Sequence, residues 1–193
     1  MQIRRSTRIP TLLGASLAAA TALTLAVGGP ASAATSADTI TTFTVSAGAT
    51  ALAITAPANQ NLGTGAPGAT ITSLLGEVVV TDGRALLTPT WAVTVTSTPF
   101  VTGAGTAPET IPTSAVSYWS GPATAQTPAT GMTFVPGQPA STNRVALSTS
   151  PTAFSLTAGS GSNSLTFNPT LVVSVPASAV GGLYTGTVTH SVA

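Results

Sequence analysis

Short runs of alternating apolar and polar residues, broken by Gly, Pro, Asn and Ser clusters, constrain this chain more than any other feature. Phe43 and Val45 point one way while Thr42, Thr44 and Ser46 point the other. The pattern repeats at Leu52 and Ile54, at Val78 and Val80, and at Trp91, Val93 and Val95. It returns at Val116 and Tyr118, at Leu165 and Phe167, and at Leu171, Val173 and Val175. The last run is Tyr184 to Val192. A period of two puts successive side chains on opposite faces of a pleated strand, and β-branched and aromatic residues favour that surface. The clearest instance is VVVTDGRALLTPTWAVTV, Val78 to Val95, which reads as two strands joined by a polar turn. Clusters such as NLGTGAPG (Asn61 to Gly68) and AGSGSNS (Ala158 to Ser164) break helices and supply turn geometry. No segment after residue 33 sustains a helical period over three turns. The expected fold class is all-β, an antiparallel, immunoglobulin-like β-sandwich of two sheets.

The first 33 residues read as an export signal. Arg4, Arg5 and Arg8 form a basic start, Leu12 to Val27 an apolar run, and Ala31-Ser32-Ala33 a small-residue cleavage site. The run is short for a spanning helix and carries Ser16, Thr21 and Thr24. Ser6-Thr7-Arg8 after the arginine pair supports general secretion over twin-arginine export. Residues 34–41 read as a loose mature N-terminus and 42–193 as one sandwich domain. About 160 residues bury roughly 70% of their extended-chain surface, enough for a core without disulfides. The long Pro-rich stretch from Ser120 to about Gln138 is the expected flexible insert.

Cleavage changes the electrostatics. The mature chain keeps Arg84 and Arg144 against Asp38, Glu77, Asp82 and Glu109, a formal net charge of −2, where the whole chain carries +1. There is no lysine. A phosphate backbone needs several cationic contacts, so nucleic acid is not an expected partner, and neither is an anionic membrane surface. The absence of cysteine excludes thiol catalysis and thiolate metal sites. Thr and Ser fill many outward strand positions, which implies a polar but nearly uncharged surface, unusual for a freely soluble cytoplasmic protein and tolerable for a wall-associated one.

Few residues carry chemistry. His190 is the only histidine, on the face shared with Tyr184 and Val188. A hydrolase would use it as a base with a carboxylate to orient it, but no G-x-S-x-G elbow is present. The alternative is a strand histidine at a sheet edge or in a hydrogen-bonded core position. Glycosidase chemistry needs two carboxylates at a set separation. Glu77 and Asp82, five residues apart on one strand, face opposite ways, Asp38 lies near the start and Glu109 in a Pro-rich loop. Asp82-Gly83-Arg84 reads as a tight turn held by an ion pair, with glycan recognition as the sharper alternative. Trp91, in phase with Val93 and Val95, reads as core. Of the neighbours Tyr118 and Trp119, one faces outward, where an aromatic ring can stack on a sugar or pack under a loop. No cofactor or metal is expected, and no enzymatic activity.

Three segments, in order, resemble a WxL domain: LGEVVVTDGR through TWAVTVTSTPF (Leu75 to Phe100), IPTSAVSYWSG (Ile111 to Gly121), and AGSGSNSLTFNPTLVVSVPASAVGGLYTGTVTHSV (Ala158 to Val192). Trp91-Ala92-Val93 stands at the first motif, with Val93 in place of leucine. His190 stands where the second motif places a tryptophan. The resemblance implies an extracellular protein attached non-covalently to the Gram-positive cell wall, with peptidoglycan as the ligand. If both tryptophans are needed, the sandwich is kept while the binding is lost or altered. The Ala-, Gly- and Thr-rich, lysine-free composition suggests a high-GC genome. The candidate wall-binding residues are Trp91, Val93 and His190 at the motif positions, together with Asp82, Arg84 and Trp119 from the glycan readings above. A second expectation is a structural or adhesive module that binds another surface protein through an edge strand, with Tyr184 to Val192 as the candidate edge.

Overall fold

The computed structural model of the chain describes residues 39–49 and 51–193. The predicted export signal, residues 1–33, lies outside the described residues. All strands fall within the unit Thr44–Ala193. They are β1 (Leu52–Thr55), β2 (Thr70–Leu74), β3 (Val78–Asp82), β4 (Trp91–Ser97), β5 (Phe100–Val101), β6 (Thr110–Ile111) and β7 (Val116–Trp119). Then come β8 (Ala123–Thr127), β9 (Thr133–Pro136), β10 (Val145–Ala146), β11 (Thr152–Ala158), β12 (Asn163–Phe167), β13 (Thr170–Ser174) and β14 (Val188–Val192). Every pairing is antiparallel. The fold is all-β, as the alternation predicts.

Three four-stranded sheets have the orders β1-β3-β12-β8, β10-β7-β13-β2 and β14-β4-β11-β9, and β5 and β6 form a small hairpin. The first two are one layer folded across a corner. β2 leads into β3, β12 into β13 and β7 into β8, and the three pairs keep the same neighbours on both sides of the bend. The corner is built from residues that leave a ladder. Gly76 sits at φ +93, and its N–H donates to Asn168 Oδ1 at 3.1 Å. A side chain is strained at that φ, which is why glycine stands there. Pro169, without an N–H, ends the β12 ladder, while its carbonyl accepts from Leu75 N at 2.8 Å. Ser120 Oγ donates to the Gln138 carbonyl at 3.0 Å across the third bend.

The sheet β14-β4-β11-β9 packs face to face on this bent layer and closes the sandwich. Phe154 of β11 meets Phe167 of β12 with ring centroids 5.0 Å apart, and His190 of β14 meets Tyr118 of β7 at 5.7 Å. Along β4 the inward residues Trp91, Val93 and Val95 are buried. Val78 and Val80 of β3, Leu165 of β12 and Val116 of β7 join them in a single core. Fully burying one such side chain contributes about 1.5–3 kcal/mol, so the alternating strands are held by their inward faces more than by local propensity.

Three expectations are corrected. The Phe43–Val45 run is not a strand: both residues are exposed and no ladder partner flanks them. The final strand begins at Val188, not Tyr184. Pro99 interrupts the chain after β4, so Thr185 bridges Val101 instead, and Gly186 packs on the Phe100 ring. Tyr184 is anchored separately, its hydroxyl 2.9 Å from the Val180 carbonyl and 3.0 Å from that of Pro108, which share its one proton. The Ser120–Gln138 stretch is not a loose insert but carries β8 and β9. Its Pro136 is tolerated because β9 is an edge strand.

Candidate functional site

Two features at opposite ends of β3 gather the polar and the open parts of the domain. At the Asp82 end lies a buried polar chain. Arg84 donates to Asp82 through Nε to Oδ1 and through Nη2 to Oδ2, both at 2.8 Å. The Arg84 backbone N–H donates to Oδ1 at 3.0 Å, which closes the turn, and Nη2 also reaches the Thr90 carbonyl at 3.0 Å. Asn163, the cross-strand partner of Asp82, donates Nδ2 to Oδ2 at 3.3 Å. Its Oδ1 accepts the Trp91 indole N–H at 3.0 Å. A carboxylate only accepts and an indole only donates, so the Asn163 amide has one orientation that satisfies both. The Arg84 guanidinium holds the Asp82 carboxyl below its ordinary value against the opposing effect of burial.

This cluster ties the turn after β3 to β4 and β12. Asp82 is 1% and Asn163 4% exposed, so neither offers a free atom to a ligand. The predicted turn ion pair is present, and Trp91 is core. The sequence reading missed Asn163, which was grouped with the AGSGSNS turn. Its phase was legible: Asn163, Leu165 and Phe167 share one face of β12.

At the other end of β3 the sandwich opens into a cavity of about 780 Å³. Ile71, Leu75, Val78, Leu171 and Val173 line it, with Phe100 and Ile111 from the hairpin. The 56–65 segment forms one wall and residues 179–187 the other. His190 and Tyr184 are the titratable side chains among its lining residues. Nε2 of His190 lies 3.1 Å from the Tyr118 hydroxyl. Burial drops the imidazole to about 4 and pushes the Tyr118 phenol up, so both are neutral near pH 7. The two share one hydrogen bond, whose direction follows from which imidazole nitrogen carries the proton. Among the described residues no serine hydroxyl and no carboxylate hydrogen-bonds His190, and no group of three or more metal-ligating side chains forms.

His190 makes stability depend on pH. The folded imidazole stays uncharged down to about 4, while an unfolded one takes a proton below 6.5. Stability therefore falls as pH drops from about 6.5 to about 4 and then levels with respect to this group. Denaturant midpoints across that range are expected to show the slope in the native chain and to lose it in His190→Gln. An equal slope in the variant would assign the dependence elsewhere.

The remaining predicted residues are scattered. Val93 is buried in β4 opposite Val192 and Phe154. Trp119 is half-buried, on the face of β7 opposite the fully buried Tyr118. The two motif-like stretches, Trp91 to Val93 and His190 to Val192, lie on adjacent strands, with His190 opposite Val95. Asp82, Arg84 and Trp91 come together through Asn163. His190 and Trp119 belong to neither that cluster nor each other. No protein-family model matches the chain, and no curated protein aligns with it.

Proposed function

We propose that this chain is an exported, non-catalytic surface protein that associates non-covalently with the cell wall, with peptidoglycan as the polymer bound. The observation that carries the reading is the use made of its charges. Among the described residues the one ion pair sets a buried Asp82 against a partly exposed Arg84 and holds a turn, and the single histidine is neutral and hydrogen-bonded to a tyrosine. That leaves a surface of threonine, serine, alanine and glycine, fit for weak polymer contacts and not for acid–base work. The segments resembling a WxL domain and the signal-like first 33 residues support the same reading. Among the described residues no helix is long and apolar enough to cross a membrane. Fractionating the producing cell into wall, membrane and medium is expected to place the protein in the wall fraction, from which denaturant releases it. Recovery wholly in the cytoplasm or membrane would overturn the proposal.

A second reading, an adhesive module that accepts another protein's strand, is favoured by the open seam beside β2 and β14.

A further inference from the structure

The seam is best described as a missing strand. β1 pairs with β3 and lies alongside β14, so at the Asp82 end it fills the space between the bent layer and the opposing sheet. Beyond Thr55 the chain leaves as the 56–67 loop. The continuation of β3 across the corner is β2, an edge strand, and β14 is the edge of the facing sheet. No strand stands between them at this end, and the apolar cavity occupies that place. Against the outer edge of β2, the described residues offer one side-chain bond from the wall loop, Gln60 Nε2 to the Leu74 carbonyl at 3.0 Å. An edge of unpaired backbone groups over an apolar trough is a template for strand addition. Leu183, on the lip, is 86% exposed.

The chain also carries an unpartnered strand sequence. Within residues 39–47, TITTFTVSA, the stretch from Thr42 alternates as a half-buried strand should, with Ile40 out of phase, yet Phe43 is 89% and Val45 78% exposed. Nine residues extended span about 30 Å, more than the five residues of β2 require. The last residues of the segment, 44–47, start at the wrong end to serve the cavity of the same copy. Gly48 N–H donates to the Gly83 carbonyl at 2.8 Å, and β1 then runs from Asp82 toward Val79. Residues 44–47 therefore enter from the Asp82 end, the cavity opens at the Val78 end, and β1 already occupies the seam between.

We infer that residues 39–47 of one copy add as a strand between β2 and β14 of a second copy, with Phe43 and Val45 seated on Ile71, Leu75 and Val173. This rests on the strand-accepting reading above and names the partner as the chain itself. Donor and acceptor lie at opposite ends, so the contact is head-to-tail and adds copies one to the next, into rings where the rotation closes and open chains where it does not. The opposite face of the segment, Ile40, Thr42, Thr44 and Ser46, is uncharged and puts no charge into the seam. It also explains why a strand pattern with a bulky aromatic is left in solvent in the single copy, where apolar exposure is unfavourable.

The test uses the full chain expressed with residues 1–33 in an exporting host and purified, with a synthetic peptide of residues 39–47 as probe. Light scattering is expected to show mass rising with concentration in whole-number multiples of one chain. Excess peptide is expected to collapse the series to single copies. Phe43→Asp changes an exposed residue, so the domain folds. That variant is expected to remain monomeric yet still bind the native peptide, and a peptide carrying the same change is expected to bind at least about tenfold more weakly. A monomer that binds the peptide but never self-associates would overturn the inference and leave the strand-accepting reading standing. A monomer that takes up an apolar small molecule in the cavity, but no peptide, would overturn both. Oligomers that persist unchanged in Phe43→Asp would likewise overturn the inference.

Discussion

Trp91→Ala is expected to lose about 3–5 kcal/mol of stability, the range for deleting a large buried aromatic side chain. Trp91 is 4% exposed, its ring centroid lies 5.7 Å from that of Phe134, and it opens the inward row of β4. Truncation removes apolar burial and leaves a cavity at the junction of β4, β9 and β11. Trp91→Phe separates the two contributions of the side chain. It keeps most of the apolar contact but strips the N–H that Asn163 Oδ1 accepts, which leaves a buried acceptor unpaired at a cost of about 1–3 kcal/mol. Chemical denaturation of the two variants checks the order, with Ala well below Phe and Phe below the native chain. If Phe matched the native chain, the indole bond would carry no net stability.

The second large effect is expected at Asp82. Its carboxylate receives four hydrogen bonds, three from Arg84 and one from Asn163, with its side chain fully buried. Arg84 is 29% exposed on its side chain, which screens the charge pair and places the expected loss in Asp82→Ala near about 2 kcal/mol, below the figure for a fully buried pair. Much of that loss comes from the turn and from the stranded Asn163 amide. Asp82 and Trp91 are joined through Asn163, so the double variant is expected to be less destabilised than the two single losses added together.

The pH dependence has a definite sign. Because the folded carboxyl titrates below its ordinary 3.8, the stability it contributes is complete above that value. That stability is lost as pH falls through the lower folded value. Asp82→Asn is expected to flatten stability below about pH 4. The slope from His190 lies between about 6.5 and about 4, so the two variants flatten different parts of one curve.

The fold class was legible because each strand's inward face is written in a single local period. Trp91, Val93 and Val95, or Val116 and Tyr118, need no distant information to be placed. The Asp82–Arg84 ion pair was legible for the same reason: it spans two residues. What the sequence did not show is whatever depends on who stands beside whom. β11 carries a regular Phe154–Leu156 alternation, but it sits among threonines and was passed over. β8 and β9 hide in a stretch whose prolines and glycines dominate local propensity, and they form strands because β12 and β11 lie next to them. Phe43 and Val45 show the converse. Their pattern is that of a strand, but a strand needs a neighbour, and within one copy none is offered. The cavity had no local signal at all, since its lining comes from β2, β3, β13, β14, the hairpin and two loops brought together by the corner at Gly76 and Pro169. His190 stands on the edge strand β14 and is hydrogen-bonded to Tyr118, a placement that the local alternation alone does not separate from a catalytic one.

The claim at the centre of the account is that this sandwich holds to the wall polymer without chemistry. Sedimentation of the purified chain with isolated, protein-free cell walls at neutral pH tests it most directly. The account predicts that the protein pellets with the walls, that the bound fraction saturates, and that the wall polymer is recovered uncleaved. Protein left in the supernatant at every salt concentration, or soluble fragments released from the walls, would contradict it.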